Sequence, residues 1–189
     1  MNDKRKVLTA MLAALLCLSW GCASTAFKNP DMDFGALQNI AVMPFENLTS
    51  DEAAAERVRD AFMGGLLATG SMYVIPAGEV KRGIERSGMR TPSSPTSEEI
   101  KKFGEIMQVE AVMTGVLREY GQVRSGSSAG NVISLSMQLL EVQTGKVVWS
   151  ASSTKGGISV SDRLFGGGGQ AMNATTEDVV DELLDKLFK

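Results

Sequence analysis

Apolar and polar positions follow two different rhythms along this chain, and each rhythm predicts a different secondary structure. An almost unbroken apolar run at Asn39–Phe45 predicts a strand that is buried on both faces. A second short apolar run at Met72–Ile75 predicts another strand. The segments that follow these runs repeat their apolar residues every three or four positions, which is typical of helices that bury one face.

The first helical segment follows Thr49–Glu52, which has the sequence form of a capping box, and is predicted to end near Ala68. Val58, Phe62 and Leu66 form its apolar stripe, because they recur at intervals of four residues. The charged residues predicted to lie mostly off this stripe are Glu56, Arg57, Arg59 and Asp60.

Two further helices are predicted before the next apolar run. Pro76–Glu79 opens the first of them, with Val80 and Ile84 on its inner face. Thr96–Glu99 is a second capping box and opens the other. The residues predicted to face the core from this third helix are Ile100, Phe103 and Met107.

The period changes to two in the second half of the chain, which predicts an antiparallel meander. Val109–Tyr120 is predicted to be a long strand, and the Ser/Gly-rich segment Gln122–Gly130 a loop. Asn131–Val142 and Val147–Ser153 are predicted to pair as a hairpin around a turn at Gln143–Lys146. The residues predicted to share one face of the first strand are Ile133, Leu135, Met137 and Leu139, and those predicted to share one face of the second are Val147, Trp149 and Ala151.

A break in the alternation at Leu139–Leu140 indicates a β-bulge. Thr175–Thr176 is predicted to cap a last helix, whose inner face is Val180, Leu183, Leu184 and Leu187. The predicted order of elements is therefore βαβααβββα. It predicts an α/β (α+β) fold, a single domain over residues 38–189 with a five-stranded mixed sheet and helices packed on it.

The first 22 residues have the pattern of a bacterial export signal. Three basic residues at positions 4–6 precede a mostly apolar run at 7–20, which is shorter than the roughly 20 residues that a spanning helix needs. Gly21-Cys22 resembles the end of the lipobox of bacterial lipoproteins, in which the cysteine is acylated. Trp20 and the early position of Leu18 depart from the usual lipobox. An ordinary secretory signal cut nearby and a retained anchor therefore stay open as alternatives.

Residues 1–21 are thus predicted to be a lipoprotein signal peptide, and residues 22–37 the lipidated Cys22 with a short tether. Acyl chains hold a protein on a membrane without spanning it. Ala23, rather than an aspartate, follows the cysteine. By the sorting rule for such lipoproteins, this implies the outer membrane, with the protein facing the periplasm.

Composition narrows the chemistry open to the mature chain. The sequence has no histidine, Cys17 leaves with the signal, and Cys22 would become a thioether. This excludes Cys–His and Ser–His–Asp catalysis and the usual zinc sites, so we expect no enzyme, no cofactor and no metal. An enzyme that uses carboxylates alone stays open in principle, although no paired Asp/Glu motif supports it. Removal of residues 1–21 changes the net charge from −3 to −5, which argues against nucleic-acid binding and against electrostatic attachment to lipid.

A small basic patch is the candidate docking surface for an acidic partner, with a solvated helix face as the alternative. The residues of this patch are Lys81, Arg82, Arg86 and Arg90. Trp149 is interpreted as core packing, with a partner anchor as the alternative. The run Gly166–Gly169 is interpreted as a flexible connector, because it lacks the Gly-Lys-Ser/Thr ending of a phosphate-binding loop.

Ile40–Thr49 resembles the opening of the domain found in the CsgG and LpoB group of bacterial lipoproteins. Tyr73–Pro76, Val109–Gly115 and Leu139–Ser150 resemble later pieces of that domain in the same order. The resemblance covers about Ile40–Leu187 and implies a fold similar to the N-terminal domain of TolB.

The resemblance also implies protein binding, since CsgG is the curli secretion channel and LpoB activates a penicillin-binding protein. A pore subunit adds membrane-spanning strands of about 9–11 alternating residues, and Gln122–Gly130 is too polar to supply them. We therefore predict a non-catalytic binding or assembly factor for an envelope complex, of the LpoB type or a secretion accessory. Its protein partner is not identified, and self-association through an open sheet edge is a further expectation. The alternative is a CsgG-like oligomeric secretion or transport component.

Overall fold

A mixed β-sheet with helices on both faces forms the described part of the chain. The computed structural model describes residues 26–126, 128–158 and 169–189. Its strands are β1 (Ala26–Lys28), β2 (Asn39–Val42), β3 (Glu46–Asn47), β4 (Tyr73–Val74), β5 (Ala111–Ser125), β6 (Ser128–Glu141) and β7 (Val147–Gly156). Its helices are α1 (Ala54–Ala68), α2 (Ala77–Ser87), α3 (Ser97–Met107) and α4 (Met172–Phe188), with a 3-10 turn at Phe34–Ala36. No helix within these described ranges is both long and apolar enough to cross a membrane.

The strands follow the order β1-β7-β6-β5-β2-β4, and β3 pairs with β5 beyond the end of β2. β2 runs parallel to β4 and β5, whereas the pairs among β5, β6, β7 and β1 are antiparallel. The predicted α+β domain with a mixed sheet is confirmed. The prediction of five strands is wrong, because β1 and β3 were missed. They have only three and two residues, too few to show a period of two.

α1 and α4 pack on one face of the sheet, where the alternating residues of the meander point inward. Ile133, Leu135, Met137 and Leu139 are all buried there, which confirms the predicted face of β6. Trp149 is fully buried on the same face, which confirms its interpretation as core.

α2 and α3 pack on the other face, over β2 and the start of β5. Ile100 and Phe103 are fully buried there as predicted, while Met107 is only partly buried. The strand residues they cover include Ala41 and Val112. Because these two helices are short, the described helices leave much of this face along β5, β6 and β7 uncovered.

The two predicted capping boxes have different outcomes. The hydroxyl of Thr96 accepts the backbone N–H of Glu99 at 3.2 Å, and the Glu99 carboxylate accepts that of Thr96 at 2.9 Å, so this box is confirmed. The box predicted at Thr49–Glu52 is wrong, since α1 begins at Ala54 without a side-chain cap. The threonine of that segment bonds instead to the side chain of Asn47 and stabilises the turn after β3.

The predicted start of the last helix is also wrong, because α4 begins at Met172. Thr175 and Thr176 lie inside it, and their hydroxyls donate to the carbonyls of Ala171 and Met172 at 3.1 and 2.8 Å. A threonine hydroxyl can cap the start of a helix or, inside the helix, donate to the carbonyl four residues earlier. The sequence alone does not distinguish these two roles. The predicted inner face is confirmed, since its buried residues include Val180, Leu183, Leu184 and Leu187.

The loop predicted at Gln122–Gly130 is wrong in its described part, because β5 continues to Ser125 and β6 starts at Ser128. Arg124 pairs with Ala129, so the segment lengthens the hairpin. Most of its side chains on β5 are exposed, and an exposed ribbon needs no apolar face. A polar composition therefore did not exclude a strand here.

The predicted bulge at Leu139–Leu140 is confirmed by a shift in the register of β6 on β7. Leu139 faces Trp149 and Leu140 faces Val147, which leaves Val148 as the extra residue. Val147 consequently packs with the α2–α3 face, so its predicted place beside Trp149 is wrong.

The folded domain begins within the segment predicted as a tether. Ala26–Lys28 pairs with β7, and the ammonium group of Lys28 donates to the carbonyl of Leu187 at 3.0 Å. A cation is favoured at this place because it lies at the C-terminal end of α4. Residues 26–37 therefore belong to the domain. Cys22 lies outside the described residues.

An ion-pair cluster holds α4 against β7. The carboxylate of Glu182 accepts a hydrogen bond from the hydroxyl of Ser153 at 3.0 Å and forms ion pairs with Lys155 and Lys186. The indole N–H of Trp149 donates to the carbonyl of Lys186 at 3.1 Å. Partial burial alone would raise the pKa of Glu182, but the three donors together outweigh it and lower the pKa to about 2.

Glu182→Gln is expected to lower the free energy of unfolding by about 1–2 kcal/mol at neutral pH, because the amide loses charge-assisted hydrogen bonds at a partly exposed site. The pKa of about 2 in the folded state is below the ordinary value of 4.5. The contribution of Glu182 is therefore complete above that ordinary value and is lost as the pH falls toward 2. Urea denaturation at neutral and acidic pH should show the difference between wild type and variant shrinking in acid. The control Asp185→Asn removes an exposed ion pair with Lys189 and should show no such trend. A Glu182→Gln difference that is independent of pH would contradict this account.

Candidate functional site

The sheet changes its direction of winding at β2. The chain passes from β2 to β4 through α1 on one face, and from β4 back across β2 to β5 through α2 and α3 on the other. In α/β sheets, a crevice opens outside the carboxyl ends of the strands at such a switch point, and ligands commonly bind there. This chain has a cleft at that place, between α1 and α2.

The cleft has a volume of about 490 Å³, within the range of roughly 300–1,000 Å³ that is usual for ligand pockets. Its apolar walls come from Phe45 after β2, Ala55 on α1, and Val80 and Ile84 on α2. Each of these elements is fixed by the core, so the walls are set by the fold rather than by a loop.

Arg59 lies at this cleft and is the only charged residue in the described ranges that is buried, with 8% of its surface exposed. Its Nε and Nη2 groups donate to the carbonyl oxygen of Val42 at 3.1 and 2.6 Å. Burial lowers the pKa of this guanidinium, and the charges of Asp60 and Glu56 offset only part of that effect. No carboxylate among the described residues forms an ion pair with it.

The end of β4 explains why an arginine stands there. The backbone N–H groups of Tyr73 and Ile75 donate to the carbonyls four and two residues before Val42, at 2.7 and 2.9 Å, respectively. The next donor in this series would come from residue 77, but the chain leaves the sheet at Pro76 and enters α2. A buried carbonyl needs a hydrogen-bond donor, and β4 provides none for Val42. Arg59 therefore donates to that carbonyl instead.

The prediction that Arg59 lies off the apolar stripe of α1 is wrong. Ala55, Phe62 and Leu66 are buried at four positions before it and three and seven positions after it, so all four share one helix face. This spacing is visible in the sequence and was the available signal. Arg59 lies at the border of the stripe, and it was predicted to be exposed to solvent because arginine is rarely buried.

The predicted basic patch is exposed, but it does not form one continuous positive surface. Lys81, Arg82 and Arg86 lie on α2 and Arg90 follows that helix, and of the four only Lys81 lines the cleft. Arg82 forms an ion pair with Glu79, and this hydrogen bond raises the pKa of Arg82. The role of these residues in docking stays a prediction.

The uncovered part of the second sheet face carries a ladder of hydroxyl groups. The oxygens of Ser134 and Thr154 lie 2.9 Å apart, and so do those of Ser136 and Ser152. Arg118 Nε donates to the hydroxyl of Ser136 at 3.1 Å. Because these groups pair with one another, this face offers fewer free donors to a ligand than the cleft does. In the part of the chain that the structure describes, no three His, Cys, Asp or Glu side chains come together as metal ligands.

A comparison with sequence models of protein families shows to which family this chain belongs. Residues 32–189 match the sequence model of a family described as "Putative lipoprotein GNA1162-like". This chain belongs to the GNA1162-like lipoprotein family. A curated relative from Neisseria meningitidis serogroup B, "Putative lipoprotein NMB1124/NMB1162", is 25% identical over 191 residues, which cover 97% of this chain and 86% of the relative.

Solved structures share the fold of this GNA1162-like chain. Lipoprotein GNA1162 from Neisseria meningitidis matches with a TM-score of 0.58 and 20% identity, over 79% of this chain and 97% of that one. A PelC dodecamer from Paraburkholderia phytofirmans matches with a TM-score of 0.58 and 16% identity, over 87% and 96%. The C-terminal domain of LpoB from Escherichia coli matches with a TM-score of 0.50 and 19% identity, over 67% and 88%. The expected likeness to LpoB is thus confirmed for the fold, while these findings give no specific support to CsgG.

Arg59→Gln is expected to lower the free energy of unfolding of this GNA1162-like chain by about 1–3 kcal/mol, because the shorter side chain cannot give both hydrogen bonds to the buried carbonyl of Val42. Arg82→Gln is the matched control, because its ion pair with Glu79 is exposed, and it should leave stability unchanged within error. Urea denaturation followed by circular dichroism measures both. Equal effects of the two substitutions would contradict a structural role for Arg59 at the end of β2.

Proposed function

We propose that this protein is an outer-membrane lipoprotein that faces the periplasm and acts as a non-catalytic binding or assembly factor for an envelope complex. That complex would be a cell-wall synthase regulated as by LpoB, or a secretion apparatus. The observation that carries the proposal is the match of residues 32–189 to a lipoprotein family, in a chain whose Cys22 follows a short apolar run. Acylation of that cysteine would supply the membrane attachment.

The chemistry of the domain supports binding rather than catalysis. The chain has no histidine, and its mature form would have no free thiol. What the described residues offer instead is a preformed cleft with apolar walls and a fixed arginine. Such a combination is suited to recognition of another molecule, since apolar area gives affinity and a few placed polar groups give orientation.

The position of the cleft fits attachment at the N-terminus. Only three residues, 23–25, separate Cys22 from β1, so the lipid would lie within about 14 Å of that edge strand. β2 lies four strands further along the sheet, which corresponds to about 19 Å at the usual strand spacing. This separation gives the cleft room to face a partner in the periplasm while the N-terminus is attached to the bilayer.

An oligomeric secretion or transport component is the second candidate. The solved PelC structure that shares this fold is a dodecamer. Both edge strands of this sheet also carry an exposed aromatic residue, Phe27 on β1 (51% exposed) and Tyr73 on β4 (57% exposed). Open edges of this kind are suited to pairing with a second copy.

Cys22→Ser is expected to appear in the soluble periplasmic fraction, whereas wild type stays with the outer membrane, because the serine hydroxyl cannot form the thioether to the lipid. Fractionation of cells followed by immunoblotting measures this, and mass spectrometry of the wild-type N-terminus should show an acylated cysteine. Cys17→Ser is the control and should leave the localisation unchanged. A Cys22→Ser protein that stays membrane-bound would contradict lipid anchoring.

Wild type and Cys22→Ser also distinguish a binding factor from an oligomeric component. Crosslinking of intact envelopes should capture a different protein with wild type and lose it with Cys22→Ser if the chain is a binding factor. A large ring of identical copies in detergent, seen by electron microscopy, would favour the oligomeric component instead.

A further inference from the structure

We propose that the cleft between α1 and α2 binds a carboxylate group flanked by apolar residues, presented by a protein segment of the envelope partner. This inference rests on the proposed binding function and names the chemistry of the contact. The juxtaposition that carries it is a buried guanidinium without an acidic partner at the base of a cleft with apolar walls.

Arg59 has more donor capacity than the fold uses. A guanidinium has five N–H groups, and the hydrogen bonds to the carbonyl of Val42 use one on Nε and one on Nη2. The remaining three have no hydrogen bond to a described residue, and no buried polar side-chain atom in the described ranges lacks a partner. Nη1, which has two of these three N–H groups, is therefore not a buried atom, and Arg59 lines the cleft, so both groups are available to a ligand there.

The charge of Arg59 also exceeds what the fold requires. A neutral donor could satisfy one backbone carbonyl, whereas burial of a guanidinium carries a desolvation penalty. An incoming carboxylate would accept charge-assisted hydrogen bonds from the free N–H groups and compensate that charge. Since the two bonds to Val42 already hold the side chain in place, little conformational entropy is lost on binding.

The first turn of α2 adds donors on the opposite wall. This helix has 11 residues and no side-chain cap, and the N–H groups of Glu79 and Val80 both donate to the carbonyl of Pro76. The preceding amides, of Ala77 and Gly78, have no hydrogen bond to a described residue and belong to residues that line the cleft. An anion placed between Arg59 and this turn is favoured by both.

The rest of the cleft limits the ligand to a single negative charge on an apolar carrier. Glu52 and Glu56 stand on the α1 side of the cleft and Lys81 on the α2 side. Together with Arg59 these charges sum to zero, so one carboxylate leaves the occupied cleft with a net charge of −1, whereas a phosphate ester with two charges leaves −2 and is repelled more strongly by the two carboxylates. The apolar walls fit aliphatic side chains next to one carboxylate, as an acidic protein segment presents them.

Substitution of Gly78 by a large residue tests whether the cleft is the binding site. A Cβ atom at this position would meet no atom within 4 Å, and the backbone conformation accepts any residue. Gly78→Trp should therefore fill the cleft without disturbing the core. Gly64 on α1 has the same open surroundings and does not line the cleft, so Gly64→Trp is the matched control.

The probes are two acetylated and amidated tripeptides, leucine-leucine-glutamate and leucine-leucine-glutamine, which differ only in the carboxylate. They are titrated into the full mature chain carrying Cys22→Ser, and binding is followed by nuclear magnetic resonance shifts of the backbone amides. We expect the glutamate peptide to bind with shifts at Gly78 and Arg59 and the glutamine peptide to bind at least about tenfold more weakly. Gly78→Trp and Arg59→Gln should each weaken binding of the glutamate peptide at least about tenfold, and Gly64→Trp should leave it unchanged.

Several results would overturn the proposal. Equal affinity for the two peptides would show that the carboxylate is not recognised, and unchanged binding by Gly78→Trp would place the site elsewhere. Absence of binding by the glutamate peptide, or equal affinity for acetate alone, would exclude a site for an acidic apolar segment. These outcomes concern the purified protein only. They are therefore distinguishable from failure of the proposed function, which would show itself as loss of envelope crosslinking or membrane attachment.

Discussion

The hydrogen bonds from Arg59 to the carbonyl group of Val42 join α1 to the end of β2 beside the cleft. They close β2 where β4 has already left the sheet, and they hold α1 at the point where the connections diverge to opposite faces. The strand β4 has only two residues, so its backbone cannot reach that carbonyl. A side chain long enough to do so from α1 has to cross the base of the cleft. The same contact that completes the sheet therefore places a positive charge in the cleft.

The opposite end of the molecule depends on donors from several separated segments. α4 is held at its C-terminal end by the indole N–H of Trp149 and the ammonium group of Lys28, which donate to the last carbonyls of the helix. Glu182 joins the middle of the helix to β7. The N-terminal strand is thus part of the folding unit, because its lysine satisfies a helix end that would otherwise lack a partner.

The sequence predicts those parts of the fold that have a clear period, and fails where a few residues take their structure from neighbours. The alternation from Ile133 to Leu139 and the stripe of α1 were visible because each repeats several times. β1 and β3 could not be predicted, because two or three residues have no measurable period and form strands only where β7 or β5 offers an edge. Arg59 was missed for a related reason. Its spacing places it at the apolar stripe, but the reason for its burial is the early end of β4, which lies in another segment of the chain.

The place of β1 in the sheet also constrains which partner the domain can reach. A long disordered linker would let a lipoprotein meet an enzyme on the far side of the periplasm, whereas the three residues between Cys22 and β1 allow a reach of only about 14 Å. With the proposed lipid on Cys22, the domain would meet its partner within about its own diameter of the bilayer. A partner that is itself in the outer membrane, or that extends to it, satisfies this constraint. A regulator of a distant synthase needs a connection long enough to reach it. A shared fold with LpoB therefore does not imply that this chain can reach such a synthase. Of the two kinds of complex proposed above, the short connection therefore favours one that is located at the membrane to which Cys22 would be attached, or that extends to it.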